Sequence, residues 1–199
     1  MPSLAELRTF SDPPAPPGAS PFLMPVRTAP ISVVPADPVW SERYTALEAV
    51  IREALGTRVL RIDHVGSTSV PGLDAKPVID IDLTVADPDD EDAYVPALVA
   101  CRFEHTIREP WWYGHRMLRG EDPATNLHVF GPDSPETWRH LILRDHLRRD
   151  EADRALYSAV KREAAEAATA RGETMDQYNA RKQDTLRGIL RRAMRAAGI

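Results

Sequence analysis

The sequence predicts an α/β (α+β) fold in which a mixed β-sheet, flanked by helices, is followed by a helical C-terminal segment. Residues 59–130 alternate short β-prone runs with loops, the first of them rich in Gly, Pro, Ser and Thr. After Gly131-Pro132, apolar residues recur at helical spacing instead. The length of 199 residues and the 43% hydrophobic content are enough for one compact core.

The composition excludes several classes of protein. No apolar run approaches the roughly 18 residues of a membrane-spanning helix. The chain has 1 cysteine, Cys101, so neither a disulfide framework nor a cysteine-rich zinc site is available. The net charge of -5 argues against generic nucleic-acid binding. The opening residues lack the basic-then-apolar pattern of a signal peptide, which predicts a cytoplasmic protein.

Residues 1–30 are predicted to form a disordered, proline-rich tail outside the domain. Ten of the 18 prolines fall within residues 1–38, and proline lacks the N–H donor that helices and central strands need. The tail either stays disordered or docks onto a partner. One domain is predicted over residues 31–199, with its sheet in 31–132 and its helices in 133–199.

Local patterns predict the elements of this domain. Ser41 is expected to cap a helix that runs to Leu55 and is ended by Gly56. The strongest strand is VIDIDLTV, and the acidic run after it predicts a helix from Asp87 to Ala100. Further strands are predicted over residues 59–65, 103–107, 113–119 and 126–130. Three C-terminal helices are expected, one capped near Ser134, one carrying residues 156–167 and one after Gly172.

Charge is divided unevenly along the chain. Residues 1–138 carry a net charge of -10, whereas residues 139–199 carry +5. The division suits a site in which a cationic element closes over a polyanion held by a metal ion. It equally suits a set of amphipathic helices with solvated faces.

The segment HVGSTSVPGLDAKPVIDID, residues 64–82, combines two features that suggest chemistry. Gly66, Ser67, Thr68 and Ser69 follow a strand, and such a loop lets backbone N–H groups and hydroxyls approach phosphate oxygens. Further along, residues 80–82 read Asp-Ile-Asp within the strongest strand.

Asp80 and Asp82 should share one face of that strand, because strand side chains alternate. Two carboxylates among apolar neighbours need a cation or hydrogen-bond donors, since desolvating like charges is unfavourable. Mg²⁺ (or Mn²⁺) is a suitable partner, with substrate phosphates completing its coordination. A solvent-facing strand with two harmless acids is the alternative.

A Gly-Ser loop followed by Asp-x-Asp in a strand resembles the nucleotidyltransferase superfamily. More narrowly, the segment HVGSTSVPGL with the following Ala-Lys-Pro and Ile-Asp is similar to the GrpB family, whose domain type is also fused to some dephospho-CoA kinases. The similarity extends over about residues 31–197. It implies a nucleotidyltransferase-like sheet, a loop that holds a triphosphate and paired acids that hold one or two metal ions.

Other candidates carry less specific signals. Lys76 either reaches a phosphate or pairs with the acids, and Arg116 either clamps phosphate or forms a surface salt bridge. His128 lies on the run where the superfamily often carries a third carboxylate, so it is a metal ligand, a general base or a hydrogen-bonded core residue. The basic C-terminal candidates either line the nucleotide cleft or are surface charges; they are Arg144, Lys161 and Lys182.

These features favour a Mg²⁺-dependent nucleotidyltransferase that moves a nucleoside monophosphate from an NTP to an unidentified acceptor. In that case Asp80 and Asp82 hold the metal and residues 66–69 cradle the phosphates. The alternatives are a module that binds a nucleotide or CoA-related ligand without turning it over, and a metal-dependent phosphohydrolase.

Overall fold

The computed structural model describes residues 2–10, 13–25 and 31–199. Its strands are β1 (Arg61–Val65), β2 (Ile79–Thr84), β3 (Glu104–Glu109), β4 (His115–Glu121) and β5 (Ala124–Phe130). Its α-helices are α1 (Leu4–Arg8), α2 (Val39–Leu55), α3 (Val95–Ala100), α4 (Pro135–Arg149), α5 (Glu151–Arg171) and α6 (Met175–Ala196). The predicted mixed sheet with helices around it and a helical C-terminal segment is confirmed.

The five strands form one sheet in the order β1-β2-β5-β4-β3. Only the central β2–β5 pair is parallel, and the other three pairs are antiparallel. Ile81 and Leu83 of β2 pack with Leu127 and Val129 of β5 in a core that α2 and α3 cover. Because strand side chains alternate, the opposite face of β2 and β5 is left for polar residues. The helices α4–α6 lie on that side.

The predicted helix from Asp87 to Ala100 is shorter in the structure. A single 3₁₀ turn at Glu91–Ala93 precedes α3, which begins only at Val95. Pro96 lies in the first turn of α3, where its missing N–H is tolerated; deeper inside a helix it would break a hydrogen bond. The start of α3 is therefore determined by the position of Pro96 and not by the acidic run.

The described residues of the N-terminal segment differ from the predicted disordered tail. Leu7 of α1 is buried. Further along, Phe22 bridges to Ile107 of β3 with the Leu23 N–H donating to the Thr106 carbonyl (3.0 Å), so the segment adds to the sheet edge. Proline is tolerated at such an edge because the outer N–H groups have no partner strand. Residues 1, 11, 12 and 26–30 of the predicted tail lie outside the described residues.

Arg139 of α4 fastens α1 to the domain. Its side chain is 2% exposed, and its guanidinium donates to the carbonyls of Glu6 (2.5 Å), Leu7 (3.1 Å) and Thr9 (2.5 Å) while also pairing with Glu136. The guanidinium therefore replaces the helix-capping partners that a short terminal helix would otherwise take from water.

We expect Arg139→Met to lower the free energy of unfolding by about 2–3 kcal/mol, because charged hydrogen bonds are lost from a buried position. For a domain of this size, the melting temperature should fall by about 5–10 °C, which calorimetry measures. Arg187→Met is the matched control, since Arg187 also lies against the Phe10 ring (5.9 Å) but has no hydrogen bond to α1 among the described residues. Equal effects of the two substitutions would contradict this role of Arg139.

No helix in the described part of the chain is long and apolar enough to cross a membrane.

Candidate functional site

The predicted acid pair lies on the sheet face opposite the apolar core. In the register of β2 with β5, Asp80 lies beside Asn126 and Asp82 beside His128. Asp63 of β1 is the partner of Asp82 on the other side. This face therefore concentrates three carboxylates and one imidazole in two adjacent rows of the sheet.

Asp80 is held by a side-chain amide and surrounded by cations. Asn126 Nδ2 donates to Asp80 Oδ1 at 2.8 Å. Burial raises the pKa of the Asp80 carboxyl above its usual value, although the Asn126 hydrogen bond and the charges of Lys76 and Lys182 oppose that rise. The carboxylate thus sits where additional positive charge is favourable.

Asp82 has one engaged oxygen and one without a partner. Its Oδ2 lies 2.8 Å from His140 Nδ1, while its Oδ1 is buried with no hydrogen-bond partner among the described residues. Burial disfavours the charged form of Asp82, but the charge and hydrogen bond of His140 outweigh it and lower the pKa. Conversely, burial disfavours the charged His140 ring, but Asp82 and Glu136 raise its pKa to about 9.

The loop after β1 passes directly over Asp80. Gly66 has φ of 65°, and a Cβ built on it would lie 2.8 Å from Asp80 Cβ and 2.9 Å from Asp80 Cγ. Only glycine combines this backbone conformation with such a close approach. The predicted phosphate loop and the first acid are therefore one packed unit.

The loop's three hydroxyl side chains have different surroundings. Ser69 Oγ donates to the Gly66 carbonyl at 2.6 Å, and Thr68 Oγ1 donates to the Val78 carbonyl at 3.2 Å and lies 3.0 Å from His64 Nε2. These two hydroxyls shape the loop. Ser67 is only partly buried and interacts with the Tyr157 hydroxyl. Of the three predicted phosphate contacts, Ser67 is the one that is not buried.

All three lysines of the chain gather around Asp80: Lys76, Lys161 and Lys182. Lys161 is buried, lies 4.6 Å from the centre of the Tyr157 ring and donates to the Asp74 carbonyl. Lys76 and Lys182 both contact the ring of Tyr178, at 5.7 and 5.1 Å. Residues far apart in sequence thus form a cationic cluster beside the loop.

Burial lowers the pKa of Lys161 to about 7, and the charge of Lys182 acts in the same direction. An unfolded chain keeps the ordinary lysine pKa of about 10.4. Between these values the unfolded state binds more protons than the folded state, so this lysine makes stability rise with pH.

We therefore expect the stability of the native protein, relative to Lys161→Met, to increase as the pH rises from about 7 to 10. Denaturant unfolding at several pH values measures the difference. Arg162→Met is the control, because arginine keeps its proton throughout this window. A pH-independent difference between the native protein and Lys161→Met would contradict the buried-amine assignment.

The two arginines that were predicted as phosphate contacts lie on different sides of the sheet. Arg116 is paired with Val129, a core residue of β5, and its side chain lies on the core side of the sheet, where it binds Glu91 (2.9 Å) and Asp89 (2.7 Å). It is therefore not brought to the acid pair. Arg144 of α4 borders the site, since its Nη1 donates to the His64 carbonyl at 3.1 Å and lies 3.9 Å from Asp63 Oδ1.

His128 lies beside Asp82, and burial lowers its pKa to about 3. The ring is therefore neutral at ordinary pH.

Next to His140, a cleft of about 530 Å³ opens between α4, α6 and the loop before β4. Its lining includes Trp112, Leu143, Asn179 and Gln183.

The acids of the site offer ligand atoms of the kind that a divalent cation takes. Protein cations already partly compensate the two acids, so burial alone does not require a metal ion. The buried, unpartnered Oδ1 of Asp82 is the stronger indication, because a buried carboxylate oxygen normally has a donor or a cation. Asp80 and Asp82 supply the hard oxygen ligands that Mg²⁺ and Mn²⁺ take.

Sequence reasoning missed the contributions of His140, Asn126 and Tyr157. His140 occurs in an ordinary amphipathic helix and Asn126 begins an unremarkable β-prone run. Nothing local indicates that either faces an acid. A signal did exist for Asn126, because once β5 is placed beside β2 their matching alternation directs Asn126 and His128 to the face of the acids.

Comparisons with known proteins show what this chain is similar to. The family model described as GrpB protein matches residues 30–192. The UPF0157 protein BH1888 of Halalkalibacterium halodurans is 46% identical over 138 residues, which cover 69% of this chain and 71% of that protein. The crystal structure of the conserved protein GrpB from Enterococcus faecalis superposes with a TM-score of 0.74 at 27% identity, covering 84% of this chain and 100% of that one.

A dephospho-CoA kinase of Mycolicibacterium paratuberculosis is 33% identical over 195 residues. The matched region covers 84% of this chain but 47% of the kinase. The chain therefore spans about half the length of that enzyme, as the resemblance to a fused domain predicts.

Proposed function

The chain belongs to the GrpB family, and from this premise we propose that it is a nucleotidyltransferase-like enzyme. It uses Mg²⁺ or Mn²⁺ to transfer a nucleoside monophosphate from an NTP to an acceptor that carries a hydroxyl, amine or phosphate. The acceptor attacks the α-phosphate, the bond to the β-phosphate breaks, and pyrophosphate leaves.

The convergence of all three lysines on the loop and Asp80 supports this proposal most strongly. Lysine supplies a compact positive charge suited to phosphate oxygens. Gly66 and Ser67 lie beside this cluster and present backbone N–H and hydroxyl groups to the same phosphates. A buried cationic cluster with one carboxylate is unfavourable by itself, and a bound polyphosphate would offset it.

Asp80 and Asp82 hold the metal ion in this proposal. When bound there, the ion would supply positive charge that neutralises the phosphates and favours in-line attack. Of the chain's own groups, His140 holds Asp82 in its ionised form through the 2.8 Å contact. Asn126 fixes the orientation of the Asp80 carboxylate.

Nucleotide binding by the native protein is a direct test of the proposal. Each of the four NTPs is added with Mg²⁺ or Mn²⁺, and the melting temperature is measured. At about 100 times the dissociation constant, binding stabilises by about 2.7 kcal/mol, equivalent to a rise of about 5–10 °C. Pyrophosphate release that requires an acceptor identifies the transferase. No thermal shift with any nucleotide would contradict the proposal.

A module that binds a nucleotide or a CoA-related ligand without chemistry is the second candidate. It is favoured by β5, which places Asn126 and His128 beside the acids instead of a third carboxylate. The similarity to the dephospho-CoA kinase suggests a CoA-related ligand for this case. Recovery of intact ligand after long incubation with metal would favour it. Product formed from NTP and water alone would identify a phosphohydrolase instead.

A further inference from the structure

A chain of three side chains leads from the cleft to the acid pair. Glu109 of β3 lies next to His115 of β4, with Oε2 of the carboxylate 2.7 Å from the ring Nδ1. His115 Nε2 in turn lies 3.0 Å from Nδ1 of His128. His115 is buried and stacked on Phe130 with 4.8 Å between ring centres, so the middle ring has little freedom to turn.

The polarity of these hydrogen bonds follows from the groups themselves. An ionised carboxylate only accepts, so His115 Nδ1 carries a proton toward Glu109. In a neutral ring, His115 Nε2 then bears a lone pair and accepts from His128 Nδ1. His128 is left with its proton on Nδ1 and a lone pair on Nε2.

The lone pair of His128 therefore points away from β4. Among the described residues, no hydrogen bond to His128 Nε2 is found. The neighbour of His128 across the β2–β5 pair is Asp82, whose buried Oδ1 also lacks a partner. The register therefore places one nitrogen and one oxygen electron-pair donor in the same row of the sheet, where no hydrogen bond joins them.

We propose that Glu109 and His115 are positioning residues that hold His128 as a nitrogen ligand beside Asp82, giving a mixed nitrogen and oxygen site that prefers Mn²⁺ to Mg²⁺. Imidazole nitrogen is a poor ligand for Mg²⁺ and a good one for first-row transition metals. Outer hydrogen-bond partners of a ligating histidine fix its tautomer and orientation. This inference rests on the proposed function for the identity of the acids as ligands.

The first test needs neither metal nor nucleotide. Nitrogen-15 NMR of the histidine rings at pH 8 distinguishes a proton on Nδ1 from one on Nε2. The native protein should show His128 protonated on Nδ1. A proton on Nε2 of His128 would overturn the inference, because that nitrogen would then be a donor.

The second test uses Mn²⁺ alone. Pulsed electron paramagnetic resonance should detect a nitrogen-14 nucleus coupled to the bound ion, and His128→Leu should remove that signal. Mg²⁺ should displace Mn²⁺ only at a large excess. Mn²⁺ bound without the nitrogen signal, or no Mn²⁺ binding at all, would overturn the inference.

The positioning role predicts a graded series. Glu109→Leu should weaken Mn²⁺ binding about 10-fold or more, whereas Glu109→Gln, whose amide oxygen still accepts from His115, should retain most of it. His105→Phe on β3 is the control, since His105 contacts the Ile107 carbonyl (3.1 Å) and Glu91 (3.9 Å) rather than His115 or His128. Equal losses in Glu109→Leu and Glu109→Gln would contradict the role.

The metal and nucleotide experiments test the two proposals independently of each other. A nitrogen signal without any NTP binding would leave the metal site standing and contradict the nucleotidyltransferase. NTP binding with Mg²⁺ but no nitrogen coupling to Mn²⁺ would support the nucleotidyltransferase and contradict the mixed metal site.

Discussion

Asp82→Asn is expected to abolish the rise in melting temperature that NTP and a divalent cation produce, and to lower the transfer rate by about 10³-fold. Asparagine has nearly the same shape as aspartate but loses the negative charge that the metal ion requires. The largest share of catalysis in phosphoryl-type transfer comes from positioning and charge neutralisation, so the loss of one metal ligand should dominate.

The position of Asp82 makes the substitution informative. Its Oδ1 is buried without a partner, while Oδ2 is bonded to His140. Asp80→Asn should have a similar effect on binding. Asp92→Asn, an exposed acid before α3, is the matched control and should leave the thermal shift unchanged. An intact nucleotide-induced shift in Asp82→Asn would contradict the assignment of the acid pair as metal ligands.

Gly66→Ala is expected to destabilise the protein by about 3 kcal/mol and to weaken NTP binding at least 100-fold. Two terms contribute: the positive φ of 65°, and the added methyl group, which overlaps the Asp80 side chain. The backbone strain contributes about 1–2 kcal/mol, and overpacking contributes about 1–3 kcal/mol. Either the loop lifts or Asp80 rotates, and both movements separate the phosphate loop from the acid pair.

Gly172→Ala separates the two terms. Gly172 has a φ of 63°, and a Cβ built there has nothing within 4 Å. Gly172→Ala should therefore lower the free energy of unfolding by about 1 kcal/mol through backbone strain and leave ligand binding unchanged. Denaturant unfolding and NTP titration on both variants measure the difference. If Gly66→Ala bound NTP as the native protein does, the loop would not be a phosphate site.

The acid pair was predictable because it depends on a local rule. Side-chain alternation within one strand places Asp80 and Asp82 together whatever the rest of the chain does. The same rule separates them from Ile81, which lies in the core. The Gly-Ser sequence after a strand likewise predicted a loop of close backbone approach, and the structure adds that Gly66 has a positive φ.

The position of Arg116, in contrast, does not follow from a local rule. Its strand was predicted, but the face that it occupies depends on the register of β4 with β5, which pairs it with a core residue. A shift of one residue in register moves every side chain to the other face. The register is set by burial of the whole sheet, so sequence periodicity within β4 alone did not reveal it.

The N-terminal segment illustrates a different limit. Its prolines rule out a long helix, and α1 is only 5 residues long. What places α1 against the domain is Arg139, more than 130 residues away in sequence. A contact of that kind is not visible in local composition.

By itself, the sequence determined the fold class, the family and the shared face of the two acids, because these follow from short-range periodicity and a specific motif. Only the tertiary structure decided which distant groups meet the acids. Packing of α4–α6 on the polar face brings His140 to Asp82 and the lysines to Asp80. Strand register brings His115 to His128. Such meetings depend on how the chain buries its apolar surface as a whole, which no single segment specifies.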